Sequence, residues 1–133
     1  NAILNFLADG SEFIPSEPRL RTQMLQWQFF EQYSHEPYVA VARFIHLYQG
    51  RPAEREEELK VCMVRGHKAL KVMEQQLSRT PYLVGEQYTI ADIALYAYTH
   101  VAHEGGFDLS AYPAVQAWLA RVASHPKHVG MLG

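Results

Sequence analysis

The chain has 133 residues of ordinary globular composition, with 12 Lys plus Arg against 14 Asp plus Glu and a formal charge of -2. That is one domain's worth of core, and the absence of any basic run excludes a nucleic-acid footprint. A single cysteine, Cys62, excludes an internal disulfide, no run approaches the roughly 18 apolar residues of a membrane span, and a cytoplasmic protein is expected.

Asn1 to Ala8, NAILNFLA, reads as a helical fragment with Ile3, Leu4 and Leu7 on one side and no cap before it. It has the look of the end of a preceding unit. Residues 9–17 hold Gly10, Pro15 and two serines, the composition of a linker, and a boundary is expected there. From Pro18 a helical pattern runs through Leu20, Met24, Trp27, Phe30 and Tyr33, and resumes through Tyr38, Val41, Phe44, Ile45 and Tyr48. Pro37 is expected to bend or break it.

Gly50 and Pro52 stop one helix and start the next, with Pro52 suited to a first helical position and four glutamates, Glu54 and Glu56 to Glu58, crowding the positive end of the dipole. The stripe Leu59, Met63, Gly66, Leu70, Met73 and Leu77 marks a face that packs along a neighbouring helix, and Gly66 permits a close approach. Cys62 lies beside that stripe and reads as a core residue.

The next helix announces itself most clearly. Thr89 is placed to be its N-cap, accepting from the amide three residues on, while the Asp92 carboxylate reaches back to the Thr89 amide. Tyr88 and Ile93 stand where a hydrophobic staple forms. Asp92 is the only charge between Ile90 and Tyr98, so this helix should lie in the domain centre. It is expected to run to about His103, with Gly105 and Gly106 ending it, and a last helix should begin near Pro113 with Val115, Trp118, Leu119 and Val122 on its apolar face. No alternating strand pattern occurs in residues 18–133, so the fold class is an all-α bundle of about five helices.

The seven histidines supply no metal motif. His100 and His103 are three apart beside Glu104, but HVAHE matches neither His-Glu-x-x-His nor its inverted form, and no Glu-x-x-His pair exists for a di-iron bundle. No metal and no resident cofactor are expected. There is no Gly-x-Ser-x-Gly elbow or phosphate-binding loop, so the chain carries no catalytic residue of its own. The aromatic cluster Trp27, Phe29, Phe30, Tyr33, His35, Tyr38 and Phe44 is denser than one helix face needs. Core packing with a subunit contact accounts for it, as does a cleft wall formed by Tyr33, His35 and Tyr38.

YLVGEQYTIADI resembles the Y-L-x-G-x-x-x-T-x-A-D-I segment of the C-terminal helical domain of bacterial glutathione transferases, and FFEQYSHEPYVAVARF resembles that domain's first long helix. NAILNFL is similar to the end of the family's thioredoxin-like N-terminal domain, where a Glu-Ser pair followed by x-Ala-Ile-x-x-Tyr-Leu closes the glutathione site; Phe6 stands in the Tyr place. The resemblance implies three segments: 1–8 as the remnant of that N-terminal domain, 9–17 as the interdomain linker and 18–133 as the helical domain.

It further implies a homodimeric detoxification enzyme that conjugates glutathione, as co-substrate, to a hydrophobic electrophile. The glutathione site would belong to the missing domain, leaving the isolated chain inactive. Phe30, Tyr33, His35 and Tyr38 would be the electrophile-side wall, and Tyr88, Thr89, Asp92 and Ile93 the structural cap. A non-catalytic interaction module is the alternative, since helical domains of this family also serve in assemblies.

Overall fold

The computed structural model describes residues 1–130. Its helices are α1 (Ala2–Ala8), α2 (Pro18–Phe30), α3 (Glu36–Arg43), α4 (Glu56–Leu77), α5 (Ile90–Thr99) and α6 (Pro113–Ala123). The architecture is all-α, with five of these helices after the Pro-rich stretch and, among the described residues, only the isolated bridges Tyr82–Gly85 and Val84–Gln87 in place of strands.

The long helical run does not break at Pro37. Two π-turns, Glu31–His35 and Phe44–Tyr48, keep α2 and α3 on one continuous path to Tyr48. The reason is the missing proline amide: widening the turn moves the Glu36 amide onto the Glu31 carbonyl, five residues back, so the register shifts before Pro37 and the chain stays helical. Pro52 likewise departs from its expected place. It has extended backbone and caps a short 3-10 turn, Ala53–Arg55, that leads into α4.

The α4 stripe is buried as its spacing requires: Leu59, Gly66, Leu70, Met73 and Leu77 are inside, joined by Cys62 and Ala69, with Met63 half-buried. Opposite Gly66 stands the Phe107 ring, which occupies the place a β-carbon would take. Gly105 serves the same end on the other side, where a β-carbon would meet the Arg43 amide at 2.8 Å. These two glycines let the segment after α5 lie against both α3 and α4.

Helix α5 fills the centre. Ile90, Ala91, Asp92, Ala94, Leu95, Tyr96 and Thr99 are all buried, and a 3-10 turn, Ala102–Gly105, then Gly106 in the left-handed region end the run. Around it the main core gathers Val39, Ile45, Leu70, Met73, Leu95 and Trp118. A second cluster of Met24, Val84, Ile90 and Ala91 takes Leu4 and Ala8 of α1 together with Phe13 and Ile14 on its edge. Phe6, Ile3 and Leu7 point away from it and are exposed.

Two carboxylates tie helix ends to other segments of the fold. Glu74 of α4 accepts the Ala114 and Val115 amides at 3.0 and 2.9 Å, so the free donors at the start of α6 are met by a neighbouring helix. Asp92 does more, and it lies at the heart of the fold.

Candidate functional site

Thr89, in extended backbone, caps α5: its hydroxyl accepts the Ala91 amide at 3.2 Å and forms the reciprocal box with Asp92. One Asp92 oxygen accepts from the Thr89 amide (2.9 Å) and hydroxyl (3.2 Å). The other accepts from the Leu83 amide (3.0 Å) and the Trp118 indole (2.9 Å). The carboxylate therefore joins the loop before α5, α5 itself and α6. Burial pushes its pKa up, and all four donors pull the other way. Every lone pair is spent inside the fold, which leaves nothing for a ligand.

Tyr88 packs on the main core and touches Phe13, Tyr82 and His125 rings at centroid distances of 5.7, 5.4 and 4.6 Å. Ile93 lies on the second cluster. The chain enters α5 on aromatic packing around Tyr88.

The cleft wall expected at Phe30, Tyr33, His35 and Tyr38 comes apart in three dimensions. His35 is wholly buried, so it lines no cleft. The π-turn rotates it inward, where its Nε2 lies 2.9 Å from the Thr99 hydroxyl at the end of α5. That hydroxyl has one proton, and it goes to the Leu95 carbonyl at 2.6 Å. The imidazole must then donate from Nε2, leaving Nδ1 as a bare acceptor, and Nδ1 has no partner. Burial lowers the His35 pKa to about 4, so the ring is neutral.

Phe30, Tyr33 and Tyr38 do lie together, in a groove of about 210 Å³ between the long helix and α4, across from Arg65, Lys68 and Val72. Arg65 stands over the Tyr38 ring at 5.6 Å. Tyr33 is 83% exposed, and Val72 on α4, also exposed, lines the same groove.

A larger cleft, about 630 Å³, opens elsewhere on the long helix. Glu36, Ala40, Val41 and Arg43 of α3 form its floor, Phe44 and Tyr48 of the second π-turn one end, and Tyr98 near the end of α5 a wall. Arg55 and Glu58 close it from the start of α4. Phe44 and Tyr48 face each other with centroids 5.9 Å apart, and Arg43 pairs with Glu104 while standing 5.5 Å over the Tyr48 ring. A volume of this size, with Ala40, Val41 and aromatic rings beside the charged Glu36, Arg43, Arg55 and Glu58, is in the range of small-ligand sites. Sequence spacing shows only the side formed by Glu36, Ala40, Phe44 and Tyr48, because Arg55, Glu58 and Tyr98 are brought in from the start of α4 and from α5. The signal that points to it is Tyr98, a half-buried, polar-tipped aromatic near the end of the central helix.

His100 stacks on Tyr96 at 4.7 Å and bonds its carbonyl, and His103 is on the surface. Among the described residues no group of three His, Cys, Asp or Glu side chains is placed to hold a metal ion, and no helix is long and apolar enough to cross a membrane.

The family model for the glutathione S-transferase C-terminal domain matches residues 27–126. The fold superposes with a TM-score of 0.97 on the crystal structure of a glutathione S-transferase from Pseudomonas fluorescens Pf-5, at 77% identity over 99% of this chain and 66% of that one. A second crystal structure from the same organism, a glutathione transferase family member with two glutathione bound, gives a TM-score of 0.83 and 27% identity over 94% of this chain and 58% of that one. The disulfide-bond oxidoreductase YfcG of Escherichia coli K12 is 31% identical over 94% of this chain and 58% of its own length. The chain thus spans between half and two thirds of the length of these three proteins.

Proposed function

We propose, since the chain belongs to the glutathione S-transferase C-terminal domain family, that it is the electrophile-binding half of a cytoplasmic, bacterial glutathione transferase. Residues 1–8 are read as the end of a thioredoxin-like domain and 9–17 as the linker. That preceding domain would hold glutathione and stabilise its thiolate. The observation that carries this reading is the 630 Å³ cleft, built where the first long helix meets the end of the central one.

The chemistry is nucleophilic substitution. The glutathione sulfur forms a bond to the electrophilic carbon, the leaving group departs with its electron pair, and the thiol proton goes to water. This domain's part is to seat the electrophile at attack distance and keep it dry, with Ala40, Phe44 and Tyr98 as contact surface. No side chain here forms or breaks a bond. Phe30, Tyr33 and Tyr38, by contrast, are assigned to the contact with a second subunit, on the strength of the groove they share with the exposed Val72.

A whole-protein kinetic comparison tests the assignment. Phe44→Ala should raise KM for a neutral chloronitrobenzene, and Tyr33→Glu should leave that KM unchanged while shifting the protein from dimer to monomer in light scattering. The opposite pattern refutes the placement. The isolated chain should show no turnover, and measurable conjugation by it would sink the division of labour.

A second reading is favoured by the Escherichia coli relative: glutathione-dependent reduction of a disulfide in the same cleft. There the thiolate would attack one sulfur, form a mixed disulfide and release the other sulfur as thiolate. Thiol release from a small disulfide, with no conjugation of any chloroarene, would select it.

A further inference from the structure

We propose that the cleft selects aromatic electrophiles bearing an amine or another cationic donor over anionic ones, with Glu36 as the specificity-determining residue. This rests on reading the cleft as the electrophile site.

The charges around the cleft are unequal in their freedom. Arg43 donates from Nε to Glu104, and Arg55 grips Glu58 through two nitrogens and Gln49 through a third. Both cations are therefore already neutralised. Glu36 has no hydrogen-bond or ion-pair partner among the described residues, although it is only half-exposed and lines the cleft floor. Two cations against the three carboxylates Glu36, Glu58 and Glu104 leave one negative charge uncompensated, and Glu36 is where it sits.

The carboxylate is also held at a cost. Burial and the neighbouring Glu31 push its pKa up, so a positive group seated beside it relieves both penalties, while a substrate carboxylate adds a third like charge. Glu36 does not drift from the opposite wall. It follows His35 directly and Tyr98 precedes Thr99, and the buried His35–Thr99 hydrogen bond of 2.9 Å ties those two backbone points together. The cleft thus has a set width with a carboxylate on one side and a phenol on the other.

The dimensions fit an arylalkylamine-like group. Ala40 lies one helical turn, about 6 Å, from Glu36 along α3. An aryl ring resting on Ala40 between Phe44 and Tyr98 places a donor on a short arm at the carboxylate, and the ring face meets aromatic walls. A bulky anion in the same place would face Glu36 with no free arginine to answer it.

The test uses the whole protein with glutathione and three chloronitrobenzenes: neutral, aminomethyl-bearing and carboxylate-bearing, each kcat/KM divided by its own uncatalysed rate with glutathione. The aminomethyl compound should exceed the carboxylate one by about ten-fold, the scale of one partly screened charge contact. Glu36→Gln should collapse that ratio toward one. A ratio near one in the native protein, or one that Glu36→Gln does not alter, overturns the proposal and leaves the electrophile site standing. If none of the three is turned over above background, the electrophile site itself is wrong, and the inference falls with it.

Discussion

Asp92 and His35 are both polar side chains with no exposed surface, yet the fold treats them differently. Asp92 is surrounded by four donors contributed by three segments. His35 has one bond, to Thr99, and a ring nitrogen with nothing to accept from. The first is a fully satisfied network that welds α5 to its neighbours; the second is a polar group tolerated because a π-turn had to put some side chain inward. A satisfied buried network adds stability and specificity, whereas a partly satisfied one makes stability depend on conditions.

The largest effect should come from breaking the first. Asp92→Ala strips partners from the Leu83 and Thr89 amides and the Trp118 indole, all buried, at about 1 to 3 kcal/mol each. A loss of about 4 kcal/mol or more is expected in urea unfolding, far beyond that of a simple cap. An unchanged midpoint would contradict the network.

The second region should reveal itself through pH. His35 titrates near 4 in the folded protein against 6.5 when free, so between those values the unfolded chain binds the extra proton. Its contribution is therefore intact above about pH 6.5 and declines as pH falls toward 4, by about 3 kcal/mol over the full window. His35→Gln, which keeps a donor for Thr99 but does not titrate, should flatten the slope. Thermal midpoints that fall just as steeply in that variant would remove His35 as the cause.

Glu74 lies between these extremes, half-buried with two amides to serve. Glu74→Ala should cost about 1 to 2 kcal/mol, the worth of an N-cap, and hydrogen exchange at Ala114 and Val115 should speed up locally. Unaltered exchange at those amides would show that water replaces the carboxylate freely.

Much of this was readable along the chain. Helix α4's stripe, the Thr89 cap and the Pro113 start rest on relations within one or two turns, and all appear where spacing puts them. No break occurs at Pro37, because propensity describes the loss of one hydrogen bond but not the rearrangement that absorbs it. His35 was misplaced for the same reason: an inserted π-turn advances the register, and a side chain counted onto the cleft face is rotated into the core. The cleft is not legible locally because Glu36, Ala40 and Phe44 are one turn apart while Tyr98 lies more than 50 residues further along the chain.

By itself, the sequence determined the all-α class, the capped central helix and the family, since each is written in short-range patterns of polarity and turn chemistry. Only the tertiary structure decided what those patterns serve. Trp118 reaches Asp92 from 26 positions away, Glu74 caps a helix that starts 39 residues later, and the cleft exists where two helices meet. Contacts of that kind depend on how helices are stacked and rotated, which packing of the whole core sets and no local window contains.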